Sequence, residues 1–256
     1  MQYVYKNMND KRNLMVTLSY DGSKYHGWQV QKNALSVQEV FQNSLTKVLG
    51  EIVDIKGCSR TDSGVHANMY CVSFKTSCSI KADNLVYALN RYLPADVAVI
   101  SAVEVNENFH ARYSCKGKEY IYKIWNDRIR NPFLHSYALH YWYPLDCDLL
   151  HSASRNFIGT HDFTSFATLD KREQTNMIRT VSNFEVYREN KMVEIKVSAN
   201  GFLYNMVRIM VGTLLRIAQG KINPDGIPEI IEKKDRNFAG PTVPPQGLYL
   251  NKVFYD

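Results

Sequence analysis

The stretch IVDIKGCSRTDSGVHANMYCVSFK, Ile52 to Lys75, decides how the chain is read. Its two ends, IVDIKGC and MYCVSFK, are apolar and β-branched enough to read as strands. Between them lies GCSRTDSGVHAN, Gly57 to Asn68. Seven of its twelve residues are Gly, Ser, Thr, Asn or Asp, the chemistry of a turn. The same loop carries Arg60, Asp62 and His66. A plain connector between strands needs neither an arginine nor a carboxylate. From the pattern alone, an Asx-type turn residue is the simpler reading of Asp62. The functional reading is a carboxylate presented by a rigid turn at a strand end, able to act as base or nucleophile.

Upstream, LMVTLSYDGSKYHGW opens with alternation at Leu14, Val16 and Leu18 and turns at Asp21-Gly22. SVQEVFQNSLTKVLG then carries a capping box, Ser36 and Glu39, apolar residues at helical spacing, and a terminating Gly50. Downstream, KADNLVYALNRYLP predicts a second helix and VAVISAVEV a strand. The second half follows a similar plan. KEYIYKIWN reads as a strand, and DCDLLHSASRNFIG as a helix stopped by Gly159. TVSNFEVYRENKMVEIKVSA reads as a hairpin turning near Glu189-Asn190, and GFLYNMVRIMVGTLLRIAQG as a long apolar helix. GIPEIIEKKD is a short helix and GLYLNKVFY a final strand. Hairpins, without a regular strand-helix-strand beat, predict α+β architecture with mixed or antiparallel sheets. Two similar subdomains are expected, residues 1–112 and 113–256.

Hydrophobic residues make up 45% and charged residues 22% of 256, a globular composition with ample length for a core. No apolar run is long enough to cross a bilayer, and the first twenty residues lack the uninterrupted apolar core of a secretory leader. Five cysteines, none in C-x-x-C spacing, argue against a zinc site or disulfide framework and fit a reducing cytoplasm. The seven histidines show no ligand spacing, so no metal is expected. Neither a Walker A nor a G-x-G-x-x-G pattern is present, so no nucleotide cofactor is expected. The net charge of +6 permits a polyanionic partner without demanding one.

Two further places hold polar groups that a core would not need. In CKGKEYIYKIWNDRIR, period two sets Tyr120 and Tyr122 on one strand face among Lys and Arg. That is either an ordinary half-buried strand with basic flanks or an aromatic platform for a base beside phosphate-binding cations. In LYNMVRIMVG, Arg208 is surrounded by apolar neighbours and so needs an anion or a route to the rim. Asp62 is one candidate anion; any structural acid is another.

Eight blocks occur in order: YDGSKYHGWQVQ (20–31), SVQ (36–38), RTDSGVHA (60–67), FHARYS (109–114), KEYIYKI (118–124), HDFTSF (161–166), FLYNMVRIMVG (202–212) and GLYL (247–250). Together they resemble the TruA family of tRNA pseudouridine synthases over residues 14–255. The resemblance implies two similar α+β subdomains whose sheets join into one platform with an active cleft between them. It also implies a cofactor-free isomerase that flips a uridine of the tRNA anticodon stem-loop, detaches its uracil and rejoins it through C5. Asp62 is then the catalytic carboxylate, acting at C1′, at C6 or through a glycal. Tyr120 stacks on the uracil, Arg208 pairs with the aspartate, Leu248 lines the uracil pocket, and Arg60 helps hold the base out of its stack. The partners implied are tRNA and a second copy of the chain. The rival class, a catalytically silent RNA-binding protein, explains the aromatics and cations but not Arg60, Asp62, Tyr120 and Arg208 together. This sequence departs from the family pattern at Asn205 and, around the signature, at Ser59, Ser63, Met69 and Tyr70, the positions where a different choice of uridine is expected to be set.

Overall fold

The computed structural model describes residues 11–168 and 176–255. The chain divides into two compact units, one running to Cys115 and taking in Tyr255, the other from Lys116 to Phe254.

In the first unit, β1 (Arg12–Tyr20) is central, flanked by β3 (His66–Thr76) and β4 (Val97–Val105), both antiparallel to it. A short β2 (Lys56–Gly57) adds to β3. The strand expected over Ile52–Cys58 is therefore two residues long. Its apolar members, Val53 and Ile55, are buried without joining a ladder. Helix α1 (Val37–Leu49) follows its local signals closely. Ser36 Oγ accepts from the Glu39 N–H at 3.3 Å, and Gly50 closes the helix in the left-handed region. Val37, Phe41 and Leu45 recur at four-residue spacing and are fully buried, as are Leu14, Val16 and Leu18 of β1 and Leu85 and Leu89 of α2 (Ala82–Asn90).

In the second unit, β5 (Gly117–Asn126) lies between β9 (Met192–Ala199) and β10 (Leu248–Phe254), antiparallel to both. The hairpin of β8 (Ile178–Glu189) and β9 forms as expected, with Asn190 taking the left-handed conformation at its turn. Two short strands had no periodic signature. β6 (Leu139–Tyr141) runs parallel to the end of β5, and β7 (Gly159–Asp162) pairs with β8. Helix α3 (Cys147–Ser154) ends well before Gly159, which at φ +121° starts β7 and does not stop the helix. Helix α4 (Met206–Ala218) starts at Met206, because Asn205 at φ +62° cannot continue a right-handed helix. Helix α5 (Ile227–Lys233) completes the unit. Antiparallel hairpins with helices between them make the fold α+β. Among the described residues no helix is long and apolar enough to cross a membrane.

Candidate active site

Asp62 lies on the loop from Cys58 to Val65, between β2 and β3, and is half-buried. The loop is gripped by the segment YDGSKYHGW, Tyr20 to Trp28. Thr61 is the main anchor: its carbonyl accepts the Trp28 N–H at 3.2 Å, and its hydroxyl meets the Tyr20 hydroxyl at 2.9 Å. The Tyr25 carbonyl accepts both the Gly64 N–H at 3.1 Å and the Ser63 hydroxyl at 3.3 Å. The Val65 N–H returns to the Asp62 carbonyl at 3.2 Å, closing the turn. The Gly22 N–H donates to Nδ1 of the buried His66 at 3.1 Å.

The two glycines of the gripping segment are steric necessities. A Cβ on Gly22 would stand 2.0 Å from the Val65 carbonyl oxygen. One on Gly27, at φ +85°, would stand 2.2 Å from that of Thr61 and 3.1 Å from the Asp62 carbonyl carbon. Backbone packed on backbone fixes the point from which the carboxylate projects. In the sequence Asp21-Gly22 reads as a simple turn, and Gly27, Tyr20 and Thr61 carry no local signal of a role. Only their presence in the same ordered blocks as Asp62 signalled a connection.

Tyr70, one of the departures around the signature, is wholly buried. Its ring stacks on Trp28 at 4.1 Å and 27°, and its hydroxyl donates to the Ser59 carbonyl. It supports the loop from beneath, which removes it from the residues able to read a uridine directly. Ser63 is exposed, whereas Ser59 and Met69 are half-buried. Arg60 is exposed, on the wall of a pocket shared with Trp28, Lys56, His110, Arg112 and Tyr113.

The other candidate residues belong to the second unit. Tyr120 and Tyr122 of β5 stand opposite Leu250 and Leu248 of β10. Cross-strand partners share a face, so the four side chains form one cluster. Tyr120 is buried, meeting Phe202 edge-on with centroids 5.0 Å apart, and Leu248, opposite Tyr122, is buried too. Arg208, from α4, is half-buried. Its Nε donates to the Val243 carbonyl at 2.7 Å and its Nη1 to Asn205 Oδ1 at 2.7 Å. The Tyr122 hydroxyl donates to the next carbonyl along, that of Pro244, at 2.7 Å.

The segment before β10 is thus held by Arg208 on one side and Tyr122 on the other. Gly212 of α4 lets this segment approach: a Cβ there would lie 1.8 Å from the Pro241 carbonyl oxygen. Burial raises the Tyr122 phenol above its ordinary range, against the opposing pull of the Arg208 cation. Tyr122 therefore stays a neutral hydrogen-bond donor. Asn205, one of the departures from the family pattern, supplies both the left-handed start of α4 and an acceptor that orients Arg208. The Val243 partner of Arg208 leaves no signal in the sequence, because it offers only a backbone atom.

The structure thus gathers Arg60 and Asp62 on one loop of the first unit, and Tyr120, Arg208 and Leu248 around one sheet face of the second. Among the described residues, no three His, Cys, Asp or Glu side chains gather as a metal site would require.

An α+β scaffold that presents one carboxylate on a clamped loop, and an aromatic-apolar face beside an oriented arginine, suits an enzyme acting on a flat heterocycle. Residues 17–114 and 153–256 match the family model described as tRNA pseudouridine synthase, and the chain belongs to that family, a family of isomerases. Its relatives are more particular. A protein named tRNA pseudouridine synthase A from Thermoanaerobacter sp. (strain X514) is 48% identical over 244 residues, covering 95% of this chain and 100% of that protein. One of the same name from Acetivibrio thermocellus is 44% identical over the same shares. A protein named tRNA pseudouridine synthase A 2 from Clostridium perfringens is 43% identical, again over 95% and 100%.

Proposed function

We propose that this protein converts uridine to pseudouridine in the anticodon stem-loop of tRNA, with Asp62 as the catalytic carboxylate. One observation carries the residue assignment. The loop bearing Asp62 is locked by backbone contacts at Gly22 and Gly27, while the carboxylate itself projects from a half-buried position. Such preorganisation is what positions a reacting group without reorganisation at the moment of reaction.

The reaction breaks the N1–C1′ bond and forms C5–C1′. C5 gives up a proton and N1 gains one, so the change is redox-neutral and the product has the substrate's composition. A base in a helix is out of reach and must be flipped out, at a cost of a few kcal/mol. The remaining roles follow the family resemblance. Tyr120 stacks on the uracil, Leu248 forms the apolar wall, Arg208 is the cation for the carboxylate, and Arg60 holds the flipped nucleotide. The protein works as a cytoplasmic homodimer in this reading; sedimentation of the full chain tests the dimer.

The decisive experiment is tritium release from tRNA labelled at uridine C5. Asp62→Asn is expected to abolish release while tRNA affinity and melting temperature stay near those of the parent. A fully active Asp62→Asn variant refutes the assignment. Mapping pseudouridine in tRNA from cells with and without the protein identifies the uridines. Unchanged anticodon stem-loops would refute the choice of target.

A further inference from the structure

The motif FHARYS, Phe109 to Ser114, has no part in the mechanism above, yet it is among the most heavily fastened turns of the first unit. Asn13 Nδ2 donates to the carbonyls of Asn106 and Phe109, both at 2.9 Å. The fully buried Ala111 donates its N–H to Ser73 Oγ at 2.9 Å and accepts from the Tyr255 hydroxyl at 2.7 Å. The Phe109 ring packs on that of Tyr255 with centroids 5.0 Å apart. His110 closes the turn: its Nδ1 accepts the N–H groups of Arg112 at 3.1 Å and Tyr113 at 3.3 Å, and its own N–H donates to Ser114 Oγ at 3.1 Å. Accepting two donors at Nδ1 leaves the imidazole proton on Nε2.

All this rigidity serves side chains that are not buried. Tyr113 is 79% exposed, and Arg112 is exposed beside it. The imidazole of His110 lies 4.3 Å from the Tyr113 ring at 36°, a backing that holds the ring up, and the Arg112 guanidinium is 6.0 Å from the ring centroid. The two residues border a pocket of about 330 Å³ with Lys56, Arg60, Asp54 and Gln38 on its wall. Lys56, Arg60 and Arg112 outnumber the single acid, Asp54, which already pairs with Lys56 at 2.6 Å. An exposed ring gains nothing for the fold. A rigid ring next to a cation, at the rim of a cationic pocket, is the arrangement that binds a single-stranded nucleotide by stacking and phosphate contact. Arg60 is two residues from Asp62, so this pocket adjoins the loop that carries the carboxylate.

We propose that Tyr113 and Arg112, held by His110, form a subsite for a tRNA nucleotide next to the target uridine. The neighbouring base stacks on Tyr113, and its phosphate is taken by Arg112 together with Arg60 and Lys56. The proposal rests on the tRNA reading of the preceding subsection. It adds positioning residues that touch the RNA but not the reacting atoms.

Filter binding of tRNA to the full chain, run beside tritium release, separates the two claims. Tyr113→Ala is expected to raise Kd and KM about tenfold, the worth of one stacked base, with little change in kcat at saturating tRNA. Tyr113→Phe restores the affinity. Arg112→Ala reduces the slope of log Kd against log salt by about 0.7, one phosphate contact to a single strand. Tyr87→Ala, which removes a ring 78% exposed on α2, changes neither quantity. An abasic residue beside the target uridine weakens binding to the parent protein as Tyr113→Ala does, and weakens binding to that variant no further. Unchanged Kd and salt slope in both Tyr113→Ala and Arg112→Ala overturns the subsite, whether or not the parent forms pseudouridine. Absence of tritium release from the parent, with these binding effects intact, refutes the function and leaves the subsite standing.

Discussion

Replacing Gly27 with alanine tests whether backbone contact sets the position of Asp62. The new Cβ would lie 2.2 Å from the Thr61 carbonyl oxygen, and contacts below 3.0 Å are essentially never seen, so the carbonyl must retreat by about 0.8 Å. That retreat loosens the hydrogen bond from the Trp28 N–H, now 3.2 Å, a loss of about 1 kcal/mol. Alanine at φ +85° adds about 1–2 kcal/mol of backbone strain. The sum, about 2–3 kcal/mol, lowers Tm by roughly 4–12 °C for a chain of this size. The effect on rate is larger. Asp62 follows Thr61 directly, and a misplacement near 1 Å costs about 100-fold in kcat.

Gly50→Ala is the matched control. Gly50 is also left-handed, at φ +71°, but its Cβ would meet nothing within 4 Å. It carries the strain without the clash, so about 1–2 kcal/mol is lost and kcat stays within about twofold. Thermal melts and single-turnover tritium release on both variants give the comparison. If Gly27→Ala matches Gly50→Ala in both Tm and kcat, the loop is not held as described.

Two further outcomes are expected. Arg208→Leu lowers activity at least tenfold more than Arg216→Leu, because Arg208 bonds the Val243 carbonyl and Asn205 at 2.7 Å each whereas Arg216 meets Gln219 at 3.4 Å; equal losses in kcat would refute that role. Burial raises the Asp162 carboxyl, but donation from the Thr164 hydroxyl, Lys234 and the Thr164 N–H outweighs it and brings the group below its ordinary 3.8. A carboxylate depressed in the folded state stabilises the fold fully above that ordinary value and ceases to do so as pH falls through its lower native value. Asp162→Asn therefore loses stability at pH 7 and shows a shallower decline below pH 4 in denaturant titrations; identical pH profiles would refute the pairing.

The elements legible in the sequence are those governed by signals a few residues apart. The ends of α1 are one case, where Ser36 meets Glu39 and Gly50 takes a left-handed conformation. The alternation of β1 and β5 and the Asn190 turn are others. Misread boundaries lie where a distant strand or a conformational switch decides. Gly159 looks like a helix stop but starts a strand because β8 pairs with it, and Asn205 sits in an apolar helical pattern but turns the chain away from helix. β6 has only three residues and no period, and exists through β5.

The candidate site divides in the same way. The kinds of residue needed, a carboxylate in a turn, tyrosines at period two and an arginine in an apolar helix, stand in the sequence itself because chemistry follows from side-chain type. The resemblance carried by the ordered blocks named their reaction. How these groups are held is settled only when the chain folds. Gly22 and Gly27 matter because the Thr61 and Val65 carbonyls lie against them, and Arg208 is oriented by a backbone carbonyl 35 residues away. Tyr70 proves to be a buried prop, and Tyr113 an exposed ring on a rigid turn. Backbone atoms are the same in every residue, so contacts made to them leave no mark in the sequence until the chain has folded.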